Sequence, residues 1–290
     1  MMMKQHLKVM AALACLMGLG SPAVMAASWT DTLQQLAKSV PAVSQVLKET
    51  GISSTVPVPG TAATTGTTTT QSGTEPAGTE KPAVQASHLE VVLLIDKSGS
   101  MKGLEEDTVK GYNSMLAKER QLSVPTNVTT ILFSSDHEIL ADRKPISEVP
   151  DMTLDSYKVR GATALYDTIG DAIEKTEAVK GIDDTGSKVL FVIITDGLEN
   201  YSQTYDQEKV RKLIDAQEEK GWEFVFIGAN MDAEKEADTI GIKKENAATY
   251  ENSEKGVQAN YQAVSQMVHS LATTSSLVGS PWKNSIVPGK

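Results

Sequence analysis

The chain has 290 residues, 40% hydrophobic and 22% charged, the balance of a soluble globular protein with one sizeable core or two small ones. Its formal net charge of −10 argues against nucleic acid or an anionic lipid surface as the main partner, since the phosphates of neither would be neutralised. Cys15 is the only cysteine.

At the N-terminus, Lys4 and Lys8 give a basic start, "VMAALACLMGLG" an apolar centre and "SPAVMAAS" the small residues of a cleavage site. Val24-Met25-Ala26 predicts a cut after Ala26, so residues 1–26 read as a signal peptide and the mature chain begins at Ala27. A retained anchor and acylation at Cys15 compete with this reading. The apolar run is short for a membrane span and continues apolar past the cysteine, which speaks against both. Export to the periplasm or cell envelope is expected, with secretion as the alternative and no transmembrane span after cleavage. The mature chain then has no cysteine, and its stability owes nothing to disulfides.

Residues 27–51 place Leu33, Leu36, Val40, Val43 and Leu47 at the three-and-four spacing of one helix face, and Pro41 splits the run into two short helices. Two uses fit: a docking element for a partner, or a segment that packs back on the main domain. From residue 52 to 87 the chain turns to Thr, Gly, Pro and Ala with almost no large apolar side chain. Such a stretch cannot bury enough surface to offset its chain entropy and reads as a disordered, flexible linker.

Residues 88–275 alternate short apolar runs with amphipathic ones. Strands are expected at 89–95, 127–134, 137–141, 188–195, 222–229 and, more weakly, 248–252, and helices at 104–120, 164–179, 207–220, 232–240 and 255–272. The runs "VVLLI" and "VLFVII" are continuously apolar, as in a parallel sheet covered on both faces. The alternation predicts one doubly wound α/β domain, followed by a tail over 276–290.

Three loops fall at the carboxyl edge of that sheet, where open α/β folds place their ligands. "DKSGS" carries Asp96, Ser98 and Ser100, "RGATALYD" carries Thr163 ahead of a helix, and "TDGLEN" carries Asp196. All offer oxygen and none offers His or Cys, a hard donor set suited to Mg²⁺, Mn²⁺ or Ca²⁺. Two carboxylates and three neutral hydroxyls offset a divalent charge without exceeding it. Five protein ligands leave one octahedral position to water or to an outside group, for which a partner's Asp or Glu is suited. The competing reading is structural, with Asp96 capping the next helix and the serines closing a turn.

"DKSGS", Thr163 and the Asp196 of "ITDG" together resemble a von Willebrand factor type A domain with a complete metal-ion-dependent adhesion site. The resemblance implies a Rossmann-like, mostly parallel sheet flanked by helices. It also implies a divalent cation, Mg²⁺ by preference, on Asp96, Ser98, Ser100, Thr163 and Asp196, completed by a partner protein's carboxylate. Glu105, Glu106 and Asp107 come too late for the acidic calcium site of some relatives and read as a solvated helix start. Met101, Lys102, His137, Arg160, Tyr166, Asn200 and Tyr201 are candidates for the rim.

His6, His88, His137 and His269 show no paired zinc spacing, and hydrolase-elbow, dinucleotide and P-loop motifs are missing. No histidine is placed to activate Ser98 or Ser100. The sequence therefore reads as a non-enzymatic, metal-dependent binding module on a stalk. An assembly factor that binds through residues 28–50, or a metal-assisted hydrolase, is the rival.

Overall fold

The computed structural model describes residues 85–289. The expected signal peptide, the expected helical segment over 27–51 and the expected linker up to residue 84 lie outside the described residues.

The elements, in chain order, are β1 (His88–Asp96), α1 (Glu105–Glu119), β2 (Thr126–Phe133), β3 (His137–Pro145), α2 (Leu165–Glu177), β4 (Ser187–Thr195), α3 (Gln207–Glu219), β5 (Glu223–Gly228), α4 (Ala233–Thr239), β6 (Ala247–Thr249) and α5 (Glu254–Thr274). They form one six-stranded sheet in the order β3-β2-β1-β4-β5-β6, parallel except for β3. This is the expected mostly parallel α/β fold.

Burial on both faces explains the uninterrupted apolar strands. In β1, Val91, Leu93 and Ile95 pack with Tyr112 and Leu116 of α1 and with Val264 and Val268 of α5. The alternate residues Val92 and Leu94 pack with Ile169 and Ile173 of α2 and Ile214 of α3. A period of two thus fills two layers from one strand. Helix α1 comes close to α5 because Gly111 has no side chain: an added Cβ would stand 2.3 Å from a ring carbon of Tyr261.

Helix starts follow ordinary capping chemistry. Asp206, Asp232 and Ser253 accept the N–H of Lys209, Lys235 and Gly256 at the heads of α3, α4 and α5. Helix α1 has no side-chain cap but carries Glu105, Glu106 and Asp107 in its first turn, where acids offset the positive end of the helix dipole.

Four boundaries differ from the sequence reading. Strand β3 runs to Pro145 rather than 141, because its backbone keeps pairing with β2 as far as Asn127 after the apolar alternation ends. Strand β6 ends at Thr249, after which Tyr250 makes a single bridge to Pro288. Residues 276–289, read as a tail, pack on the domain: Leu277, Trp282 and Ile286 join the core on the α1–α5 side. The last residues of the expected linker also join the fold, with Ala86 buried and the Ser87 N–H donating to the Gly186 carbonyl at 2.9 Å.

Strand order reverses between β1 and β4, since β1 connects outward to β2 while β4 and β5 continue on its other side. The carboxyl ends of β1 and β4 therefore form the crevice in which such sheets bind ligands. Asp96 ends the first strand, and Asp196 directly follows the second.

Candidate metal centre

The apolar run of β1 carries Asp96 to the sheet edge while keeping it wholly buried. Its carboxylate is held at both oxygens. Asp96 Oδ1 accepts the Ser98 N–H at 2.6 Å, which turns the chain back over the strand end. Asp96 Oδ2 accepts the Thr195 hydroxyl at 2.6 Å across the β1–β4 crevice. Beneath it, the buried Tyr157 hydroxyl donates to the Asp96 carbonyl.

The other hydroxyls gather around this group. Ser98 Oγ and Ser100 Oγ lie 3.0 Å apart, and Ser100 Oγ donates to Asp196 Oδ1 at 2.5 Å. Gly197 gives a common point of reference: a Cβ built there would stand 3.0 Å from Thr163 Oγ1, 3.4 Å from Ser100 Oγ and 3.8 Å from Asp96 Oδ2. The three loops therefore bring Asp96, Ser98, Ser100, Thr163 and Asp196 into one oxygen cluster. Ser98, Thr163 and Asp196 are buried, whereas Ser100 is exposed and opens the cluster to solvent.

The loops are tied to one another through backbone. The Gly99 N–H donates to the Gly161 carbonyl at 3.0 Å and the Arg160 N–H to the Lys97 carbonyl at 2.8 Å. Gly161 has φ +77°, a conformation that a residue with a Cβ rarely adopts. Thr163 is fixed from the opposite side, donating its N–H to Asn200 Oδ1 at 2.9 Å and accepting the Asn200 N–H at 3.0 Å.

Burial sets the electrostatics. Desolvation pushes the Asp96 carboxyl up to about 6, against the hydrogen bonds of Thr195 and Ser98, and the Asp196 charge adds to the rise. Asp196 is also raised by burial, less the hydrogen bonds from Ser100 and Asn252. Among the described residues no Lys, Arg or His nitrogen forms an ion pair with either carboxylate. Two buried carboxylates without a cation, amid clustered hydroxyl oxygens, fit a divalent ion. Among the described residues no three His, Cys, Asp or Glu side chains group as a metal cluster, so hydroxyls must contribute to any site here.

Several contributors carry no motif signal in the sequence. Thr195 reads as an ordinary strand residue, although its place directly before Asp196 puts it across from Asp96. Asn252, on the loop into α5, donates to Asp196 Oδ2 at 3.1 Å. Lys97 lies buried within the first loop, its Nζ 2.7 Å from Glu138 Oε1, and Arg160 reaches the same oxygen at 2.8 Å.

The candidate rim divides. Lys102, Arg160, Asn200 and Tyr201 are exposed. Met101 is buried and cannot form a rim, because the turn after Ser100 folds it inward. Tyr166 packs against the α2–α3 side of the core. His137 is exposed and stands 3.8 Å from Asp171 Oδ2.

The sequence pattern of the von Willebrand factor type A domain matches residues 90–263. Among solved structures, the fold is similar to the open form of the pilus adhesin SpaC from Lactobacillus rhamnosus GG, with a TM-score of 0.53 and 13% identity. That match covers 67% of this chain and 31% of the adhesin. It is also similar to the vWF domain of Mfa5, a type V pili tip protein of Porphyromonas gingivalis, with a TM-score of 0.51 and 11% identity over 66% of this chain and 98% of that one. Comparison with curated proteins finds no match. Among the described residues no helix is long and apolar enough to cross a membrane.

Proposed function

Since the chain belongs to the von Willebrand factor type A domain family, we propose that its α/β domain is an exported, non-enzymatic binding module that captures a partner protein's Asp or Glu carboxylate at a divalent cation. Mg²⁺ is the preferred ion, with Mn²⁺ or Ca²⁺ compatible with the same oxygens. The observation that carries this reading is the convergence of Asp96, Ser100 and Thr163 oxygens within 4 Å of one point beside Gly197. Asp96, Ser98, Ser100, Thr163 and Asp196 would hold the ion. When bound there, it supplies a Lewis-acidic position to which an outside carboxylate can attach.

The chain's own residues fix that position. Thr195 and the Ser98 N–H orient Asp96, Ser100 and Asn252 orient Asp196, and Asn200 orients Thr163. Such preorganisation lowers the ordering cost of binding. A binding role is the better reading than turnover, because the Ser98 hydroxyl bonds that of Ser100 and Ser100 bonds Asp196, with no histidine among their partners in the described residues to act as a base. The two pilus proteins of similar fold favour an envelope or extracellular setting.

Calorimetry with Mg²⁺, and pull-down from an envelope fraction with and without chelator, test the proposal. Asp96→Ala should abolish Mg²⁺ binding and partner capture while leaving the circular dichroism spectrum native. Capture that is equal in chelator and in Asp96→Ala would exclude the metal bridge.

A further inference from the structure

Leu198 and Tyr201 are two of the five large apolar side chains that stand exposed among the described residues, at 51% and 49%. Both lie in the single loop between β4 and α3, and Gly197 of that loop adjoins the oxygen cluster. An exposed Leu or Tyr alone means little. Here, however, hydrogen bonds hold the loop from Asn200 to Tyr205.

Its backbone is consumed by side-chain acceptors. Glu199 accepts the N–H groups of Tyr166, Tyr201 and Ser202 at 2.8, 2.7 and 2.7 Å, and the Ser202 hydroxyl at 2.7 Å. Asp167, at the start of α2, accepts those of Gln203, Thr204 and Tyr205 at 2.8, 2.9 and 2.8 Å. Two carboxylates thus take the N–H of every residue from Tyr201 to Tyr205, and Asn200 is bonded in both directions to Thr163. The result is a stiff loop that presents two apolar side chains to solvent beside the site where a partner's acid would attach.

The other two loops of the cluster differ in kind. There Arg160 and Lys102 are exposed, and Arg160 shares Glu138 with the buried Lys97. The loop after Asp196 therefore carries two exposed apolar side chains, whereas the loops after Ser100 and before Gly161 carry exposed basic ones.

We infer that Leu198 and Tyr201 form a specificity-determining apolar shelf, and that the partner segment carries its metal-directed Asp or Glu beside a large aliphatic or aromatic residue. The inference rests on the metal-bridge reading above. Tyr is among the residues that dominate binding surfaces, and a shelf already held in place loses little freedom when covered.

The test uses the mature protein in millimolar Mg²⁺ and three immobilised synthetic peptides: Gly-Leu-Glu-Leu-Gly, Gly-Ser-Glu-Ser-Gly and Gly-Leu-Gln-Leu-Gly. The Leu-flanked Glu peptide should bind roughly tenfold more tightly than the Ser-flanked one, the scale of one well-covered apolar side chain. The double variant Leu198→Ser with Tyr201→Ser should reduce that preference to about twofold or less, with Mg²⁺ affinity by calorimetry unchanged. Equal binding of the two Glu peptides to the wild type, a preference that survives the double variant, or no binding of the Leu-flanked Glu peptide overturns the shelf. Loss of the Glu-over-Gln distinction, or indifference to chelator, instead overturns the metal bridge itself.

Discussion

Thr195 Oγ1 stands 2.6 Å from Asp96 Oδ2, a contact between the last residues of two adjacent parallel strands. The same oxygen accepts the Gly197 N–H at 3.1 Å, so one hydroxyl links the carboxylate of β1 to the loop that follows β4. Thr195→Val keeps the shape but removes the donor. Asp96 then loses a bond that favours its ionised form, and Mg²⁺ affinity should fall about tenfold or more, since one hydrogen bond to a charged group is worth about 1.5–3 kcal/mol. Calorimetry on wild type and variant measures this, and unchanged affinity would remove Thr195 from the site's support.

Gly197 tests the convergence of the oxygens directly. A methyl group there would stand 3.0 Å from Thr163 Oγ1 and 3.4 Å from Ser100 Oγ, inside the cluster that is to hold the ion. Gly197→Ala should weaken Mg²⁺ binding more than tenfold while changing unfolding stability by only about 1 kcal/mol, because the nearest atoms are side-chain oxygens of the loops rather than apolar core. A variant that binds Mg²⁺ like the wild type would mean that the ion does not sit among these oxygens.

The raised Asp96 carboxyl gives a pH dependence of definite sign. With a folded value of about 6 against an ordinary 3.8, protonated Asp96 favours the folded state. This contribution is complete below about pH 4 and is lost as pH rises through about 6. In metal-free buffer the wild type should therefore lose stability relative to Asp96→Asn between about pH 4 and 7, by roughly 3 kcal/mol at most. Saturating Mg²⁺ at pH 7 should restore the wild type and not the variant. Urea titrations across that range, with calorimetry below pH 6 expected to show affinity falling about tenfold per pH unit, check both halves.

The oxygen cluster was legible in the sequence because its residues stand where buried strands end. The runs of β1 and β4 announce two-sided burial, so Asp96 and Asp196 must fall at the sheet edge whatever the loops do. Thr163 follows from a helix start and a glycine two residues before it. The supporting residues were not legible, because their roles depend on which strands become neighbours. Thr195, Asn252 and Tyr157 act over sequence separations of 99, 56 and 61 residues, which no local pattern encodes. The packing of 276–289 escaped for a related reason: Leu277, Trp282 and Ile286 are too widely spaced to show a period, and only the side of α5 facing them makes them core.

Lys97 lies between two candidate ligands yet is itself buried, and its ammonium meets Glu138 of β3 at 2.7 Å. Glu138 is half exposed, so the pair is partly screened, but the lysine has no comparable access to water. Removing the acid by Glu138→Ala leaves a buried charge uncompensated, which should cost roughly 1–3 kcal/mol, below the figure for a fully buried pair. Arg160→Ala, which removes the exposed partner of the same carboxylate, should cost less than about 1 kcal/mol. Lys97→Met in the Glu138→Ala background removes the stranded charge while keeping most of the stem, and should recover most of the loss. Because Lys97 is flanked by Asp96 and Ser98, Mg²⁺ affinity should fall in Glu138→Ala and return in the double variant. Urea denaturation and calorimetry on the four proteins of the cycle decide the point. Purely additive losses would show that β3 does not hold the metal loop through this pair.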